Sequence, residues 1–230
     1  MRIHLALVLG LVVFSACATD TEPTPSLEPS GPVGDGKSDG SCPNVPAFIQ
    51  PTAPPQYSCG ALQSQHQRIF DDVNRFWGSS ITACSCGPDF PEGCDGAFSL
   101  FEHGYVWLGE TFLAGLLASG SWSPIYYVMA HEVGHEIQGH YNAFAPTTQQ
   151  RELTADCLAG YYLGSLSCRG LTSRTDIVIA LRTACIIADG TGDPVRDRET
   201  HGTCDQRANA LAAGIDAYYA GALPLTACAL

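Results

Sequence analysis

Residues 129–141 read MAHEVGHEIQGHY, three histidines and two glutamates in an otherwise apolar stretch. The spacing of Ile125, Tyr126, Val128, Met129, Val133 and Ile137 predicts a helix over 124–140 that packs into a core. Ionisable groups on such a helix are costly to bury unless they pair with one another or hold a cation. Within it, His131-Glu132-Val133-Gly134-His135 fits the pattern H-E-x-x-H. Residues four apart on a helix project side by side, so both imidazoles can face one ion. Glu132 lies beside the first of them, where a carboxylate can take a proton from a metal-bound water. Any fold for this chain must therefore bring a further ligand to this helix, because a catalytic zinc takes three from the protein.

His140 does not supply it in the register of the longer H-E-x-x-H-x-x-G-x-x-H motif, since Gln138 and Tyr141 occupy the positions that need Gly and His. The metzincins are excluded, because the only methionines, Met1 and Met129, leave no downstream methionine turn. His140 is read as an exposed or capping residue at the helix end. The better ligand lies in RELTADCLAG, residues 151–160. Glu152 and Asp156 are four apart and share a helix face. Glu152 would bind the metal, and Asp156 would hydrogen-bond the far nitrogen of a liganding imidazole and fix its tautomer. The intervening segment 141–149 suits a turn between antiparallel helices.

The rest of the chain supplies compartment and frame. Arg2 followed by an apolar run, Leu5 to Phe14, reads as an export signal over residues 1–16. As a helix that run rises only about 15 Å, too short to span a bilayer. It ends in Phe14-Ser15-Ala16-Cys17, which resembles the cleavage site of bacterial lipoproteins and makes Cys17 the expected lipidated first residue. Residues 17–41 are rich in Pro, Gly, Ser, Thr and Asp and read as a flexible tether of roughly 27 Å root-mean-square span. Residues 42–230 form the expected folded domain. The expected location is the cell envelope, at the outer membrane by the residue after Cys17. Setting Cys17 aside, ten of the eleven cysteines remain, an even number that suits up to five disulfides in an oxidising compartment. Cys84, Cys86 and Cys94 are read as disulfide partners in preference to thiolate metal ligands. A net charge of −12 argues against nucleic acid as a partner.

Helices are also expected over 65–77, with Ile69, Phe70, Val73, Phe76 and Trp77 on one face, and over 110–118, 149–165, 174–188 and 204–220. Thr203 and Gln206 have the spacing of a capping box for the last helix. Residues 81–96 read as loop, and AFSLFEHGYVWLG, 97–109, as two strands of a hairpin around Glu102-His103-Gly104. The fold class expected is α+β, a mainly helical, disulfide-rich domain with a small antiparallel sheet.

YYVMAHEVGHEIQ, RELTADCLAGYY, IALRTACIIADG and HGTCDQRANALAAG follow in the order and style of the bacterial neutral zinc metallopeptidase family, which this chain resembles over about residues 65–220. The resemblance implies a zincin-like fold, Zn2+ held by His131, His135 and Glu152, and Glu132 as catalytic base. The implied activity is hydrolysis of a peptide or protein by a zinc-bound water. Two departures stand out: the family usually has Ser where Cys204 stands, and this chain has many more cysteines. They read as an added disulfide framework, with Cys185–Cys204 one candidate pair. A second stabiliser of the tetrahedral oxygen is sought in His201, with Tyr126, Tyr127 and Tyr141 as rivals. Arg151 and Arg207 could bind substrate carboxylates or pair with Asp205 and its neighbours, with surface pairing the default, and His4, His66 and His103 are read as structural or exposed. A zinc-binding interaction module without turnover is the alternative; an intact Glu132 weighs against it.

Overall fold

The computed structural model describes residues 42–43, 60–85, 96–99, 104–141, 145–190 and 200–228. At its centre is the helix Ser123–His140, which we number α3 after α1 (Ser64–Trp77) and α2 (Glu110–Leu116). From Ser123 to Gly139 every residue of α3 except Tyr126 is buried. A helix without a solvated face must be surrounded, and α1, α4 (Thr148–Cys168), α5 (Arg174–Ile186) and a small sheet all pack against it. The expected α3 face is found: Ile125, Val128, Met129, Val133 and Ile137 lie in the main core. His140 is exposed at the helix end, as expected. A short final helix α7 (Pro224–Ala227) follows α6 (Cys204–Tyr219).

Local chemistry sets the boundaries. The Thr203 capping box is present, its hydroxyl accepting from Gln206 N while the Gln206 side chain accepts from Thr203 N. Ser173 and Asp176 form a second capping box at α5, and Thr147 caps α4. Gly78, at φ 62°, ends α1 in the left-handed conformation that glycine adopts at little cost.

The sheet corrects the sequence reading. It has three strands in the order β1-β3-β2: β1 (Thr82–Ser85), β2 (Ala97–Ser99) and β3 (Tyr105–Leu108). β2 and β3 pair antiparallel, with Phe98 opposite Trp107, as the expected hairpin requires. β1, read as loop, instead pairs parallel with β3, Thr82 opposite Tyr105, so the sheet is mixed and not antiparallel. Alternation along β3 explains its place: Val106 and Leu108 enter the main core, while Tyr105 and Trp107 join Cys84 on the other face.

α4 and α6 cross with almost no gap. A methyl on Gly160 of α4 would lie 1.9 Å from the Leu211 carbonyl oxygen, and one on Gly214 of α6 would lie 1.9 Å from that of Cys157. Only glycine permits backbones this close. Disulfides join Cys42–Cys168, Cys157–Cys228 and the expected Cys185–Cys204, and Cys84 is also disulfide-bonded. Cys17, Cys86, Cys94, His4 and His103 lie outside the described residues. No helix among the described residues is long and apolar enough to cross a membrane.

Candidate metal centre

The two helices read as the ligand pair meet through Gly134. A methyl there would sit 3.2 Å from both the Cα and the carbonyl oxygen of Ala155 on α4, so a larger residue would push the helices apart. Ala155 lies between Glu152 and Asp156 in sequence, and Gly134 between Glu132 and His135. The contact therefore brings the imidazole face of α3 onto the carboxylate face of α4. His131 Nε2 lies 3.1 Å from Glu152 Oε2 and 3.1 Å from His135 Nε2, and His135 Nε2 lies 3.3 Å from Glu152 Oε1. All three residues are buried, and their ligand atoms fall within 4.8 Å of one another.

Behind His131 stands a charged network. Asp156, fully buried, has Oδ1 2.9 Å from His131 Nδ1, the relation expected from the sequence. With Nδ1 held as donor to Asp156, it is Nε2 that gives up its proton when the ring binds a cation, leaving its lone pair aimed between Glu152 and His135. Arg207 donates from Nε to Asp156 Oδ2 at 2.8 Å and from Nη2 to Oδ1 at 2.9 Å. Tyr127 donates its hydroxyl to Asp156 Oδ1 at 2.6 Å and accepts from Arg207 Nη2 at 2.9 Å. Arg207 is thus no surface residue: it is 1% exposed on α6, one turn before the crossing with α4. A bidentate guanidinium is the donor that can satisfy a buried carboxylate on both oxygens. The network also removes Tyr127 from the candidate oxyanion donors, since its hydroxyl serves Asp156.

The electrostatics favour added positive charge. Burial opposes a proton on His131, yet Asp156 and Glu152 overcome that and carry its pKa up to about 10. Burial also opposes ionisation of Glu152, but hydrogen bonds and charge from His131 and His135 hold its carboxyl far below the usual range. Without metal the centre keeps a proton where a cation would go. Glu132 behaves oppositely: burial pushes its carboxyl up, against the pull of His131 and His135.

Glu132 faces a cleft of about 340 Å³ that also touches His131, His135, Glu152 and His201, within the size range of small-molecule sites. Residues 96–99 of the β2 edge form one wall. His201 thus reaches the same cleft from the turn before α6; its Nδ1 is 3.0 Å from Asp189 Oδ2, and its backbone N donates to Asp189 Oδ1. Tyr126 lines a different cavity, beside Arg68 and Asp72. Tyr141 is partly exposed beyond the end of α3, against His140. Arg151 donates to Thr148 Oγ1, and its carbonyl accepts from Gln138. His66 is buried, with Nδ1 2.7 Å from Glu110.

Sequence reading passed over Glu136, which is buried and accepts from Ser99 Oγ and from Gly104 N at 2.9 Å, tying α3 to the sheet. Its signal was a second glutamate directly after the second histidine, on a helix with little solvent to face.

The donor set fits zinc. Taken with one oxygen of Glu152, the ligand atoms lie within 4.8 Å of one another, close enough for one ion bound at about 2.0–2.2 Å to reach all three. Two imidazoles and one carboxylate are also the set of zinc sites that keep a position open.

The sequence model of a family described as "Putative neutral zinc metallopeptidase" matches residues 60–221, and the chain belongs to that family. Among curated proteins it is similar to "Uncharacterized protein YpfJ" of Escherichia coli strain K12 and its counterpart in Escherichia coli O6:H1. Each is 33% identical over 112 residues, covering 39% of this chain and 39% of the relative. The chain thus spans about two fifths of the length of these relatives. No solved structure matches it significantly.

Proposed function

We propose that the chain is a zinc-dependent peptidase of zincin-like architecture, exported and held at the cell envelope by a lipid on Cys17 and the tether 17–41. The observation that carries the activity is the convergence of His131, His135 and Glu152 beside a cleft that also receives Glu132. On this reading those three residues hold Zn2+, and Asp156, backed by Arg207 and Tyr127, fixes the His131 ring. Bound zinc would supply Lewis acidity, lowering the pKa of a water at the open position towards neutrality.

Glu132 takes the proton as water attacks the amide carbon, and returns it to the leaving nitrogen. His201, oriented by Asp189, donates to the oxygen on which charge develops. The β2 edge offers backbone groups along which an extended substrate can lie. Glu132→Gln tests the reading: it should keep one zinc per chain and lower peptide hydrolysis by about 10²–10⁴-fold. Unchanged hydrolysis would remove Glu132 as the base. Zinc without cleavage of any peptide by the parent protein would turn the site into a binding module.

A further inference from the structure

The cleft has apolar lining residues that the chemistry above does not use. Val128 precedes Glu132 by four residues on α3 and shares its face. Phe112 of α2, Phe98 of β2 and Ile187 after α5 line the same space. Val128 is sealed at 3% exposure, whereas Phe112, Phe98 and Ile187 are only partly buried. Phe98 is stacked on Trp107, and Phe112 packs its inner side on the main core, so both rings are backed. The charged lining is already engaged within the protein: Arg207 with Asp156, Glu152 with the two imidazoles, His201 with Asp189. An apolar side chain entering here would cover Phe112 and Val128.

We infer that these apolar residues form a specificity subsite that takes a large apolar side chain, such as leucine or phenylalanine, from a residue flanking the scissile bond, with Phe112 as the determinant. The inference rests on the peptidase reading for the word scissile, but its test does not need turnover. Burying a leucine or phenylalanine side chain is worth about tenfold or more in affinity.

The experiment uses the full-length, zinc-loaded protein carrying Glu132→Gln. It is titrated by fluorescence anisotropy with end-blocked, labelled decapeptides of serine and alanine that carry Leu, Phe, Ala, Lys or Asp at one central position. Leu and Phe should bind about tenfold tighter than Ala. Adding Phe112→Arg should raise the Asp peptide above the Leu peptide with zinc content unchanged. Should that variant fail to fold, Phe112→Leu should shift preference from Leu toward Phe. Equal affinities for Leu and Ala, or an order indifferent to residue 112 in a folded variant, overturn the subsite. Selective binding together with no hydrolysis of the same peptides by the parent protein leaves the subsite standing and removes the peptidase reading.

Discussion

Replacing Gly160 by alanine adds one methyl group to the middle of a helix, where alanine is ordinarily the better residue by about 1 kcal/mol. Here the sign should reverse. The new carbon would lie 1.9 Å from the Leu211 carbonyl oxygen, and ordinary contact begins near 3.4 Å. The obstacle is backbone and cannot rotate away, so α4 and α6 must separate by about 1.5 Å. Arg207 lies one turn from that contact, and its bonds to Asp156 at 2.8 and 2.9 Å would open beyond hydrogen-bond reach. Overpacking costs about 1–3 kcal/mol, and weakening a charged hydrogen bond adds about 1.5–3 kcal/mol. A total of about 3–5 kcal/mol lowers Tm by roughly 10–15 °C in a domain of this size. Gly115→Ala is the control: it is exposed in α2 with nothing within 4 Å of the added methyl, and should stabilise by about 0.4–1 kcal/mol. Calorimetry of both variants with disulfides intact, alongside zinc titration, gives the comparison. A Gly160→Ala protein that melts within about 2 °C of the parent would refute the argument that this contact sets the helix spacing.

Further outcomes follow from the same geometry. Asp156→Asn weakens the bond that orients His131 and leaves Arg207 without its carboxylate, so zinc affinity should fall about 10–100-fold, as read by competition with a chelator. Because the His131 pKa stands at about 10 in the metal-free centre, the ring is protonated at pH 7.5 and must lose that proton to bind. Zinc uptake should then release about one proton per ion, and affinity should rise with pH; calorimetry in buffers of different ionisation enthalpy measures it, and zero release contradicts the protonated ring. Asp72 is held below its ordinary value: burial raises it, but bonds from Arg169 and Tyr162 prevail. Its contribution is complete above the unfolded value of about 3.9 and is lost as pH falls through the lower folded value. Asp72→Asn should therefore lower Tm at pH 6 more than at pH 2, and a difference independent of pH would refute the assignment.

What was legible in the sequence was local. The spacing of four that joins His131 to His135 and Glu152 to Asp156 is a helix property, and so is the Thr203 capping box. That Asp156 would meet a liganding imidazole was expected from that spacing; that the imidazole is His131 and not His135 is seen only in the packed helices. The failures concern partners distant in sequence. Thr82–Ser85 is too short and too small-sided to show alternation, and its pairing is parallel to a strand more than twenty residues away. Arg207 has Asp205 two residues off, which suggested a surface pair; its actual partner lies 51 residues earlier, across the crossing of α4 and α6. The sequence reading did not single out the glycines that bring those helices together, Gly160 and Gly164 on α4 and Gly214 on α6. Only the crossing reveals what they admit.

The central claim is that one divalent ion sits between His131, His135 and Glu152. Zinc-loaded crystals of residues 42–230, with data collected on both sides of the zinc absorption edge, test it most directly. The account predicts a single strong anomalous peak about 2.0–2.2 Å from His131 Nε2, His135 Nε2 and a Glu152 oxygen, with Glu132 beside the open position. A peak elsewhere, or one bound by both histidines while Glu152 turns away, would contradict it.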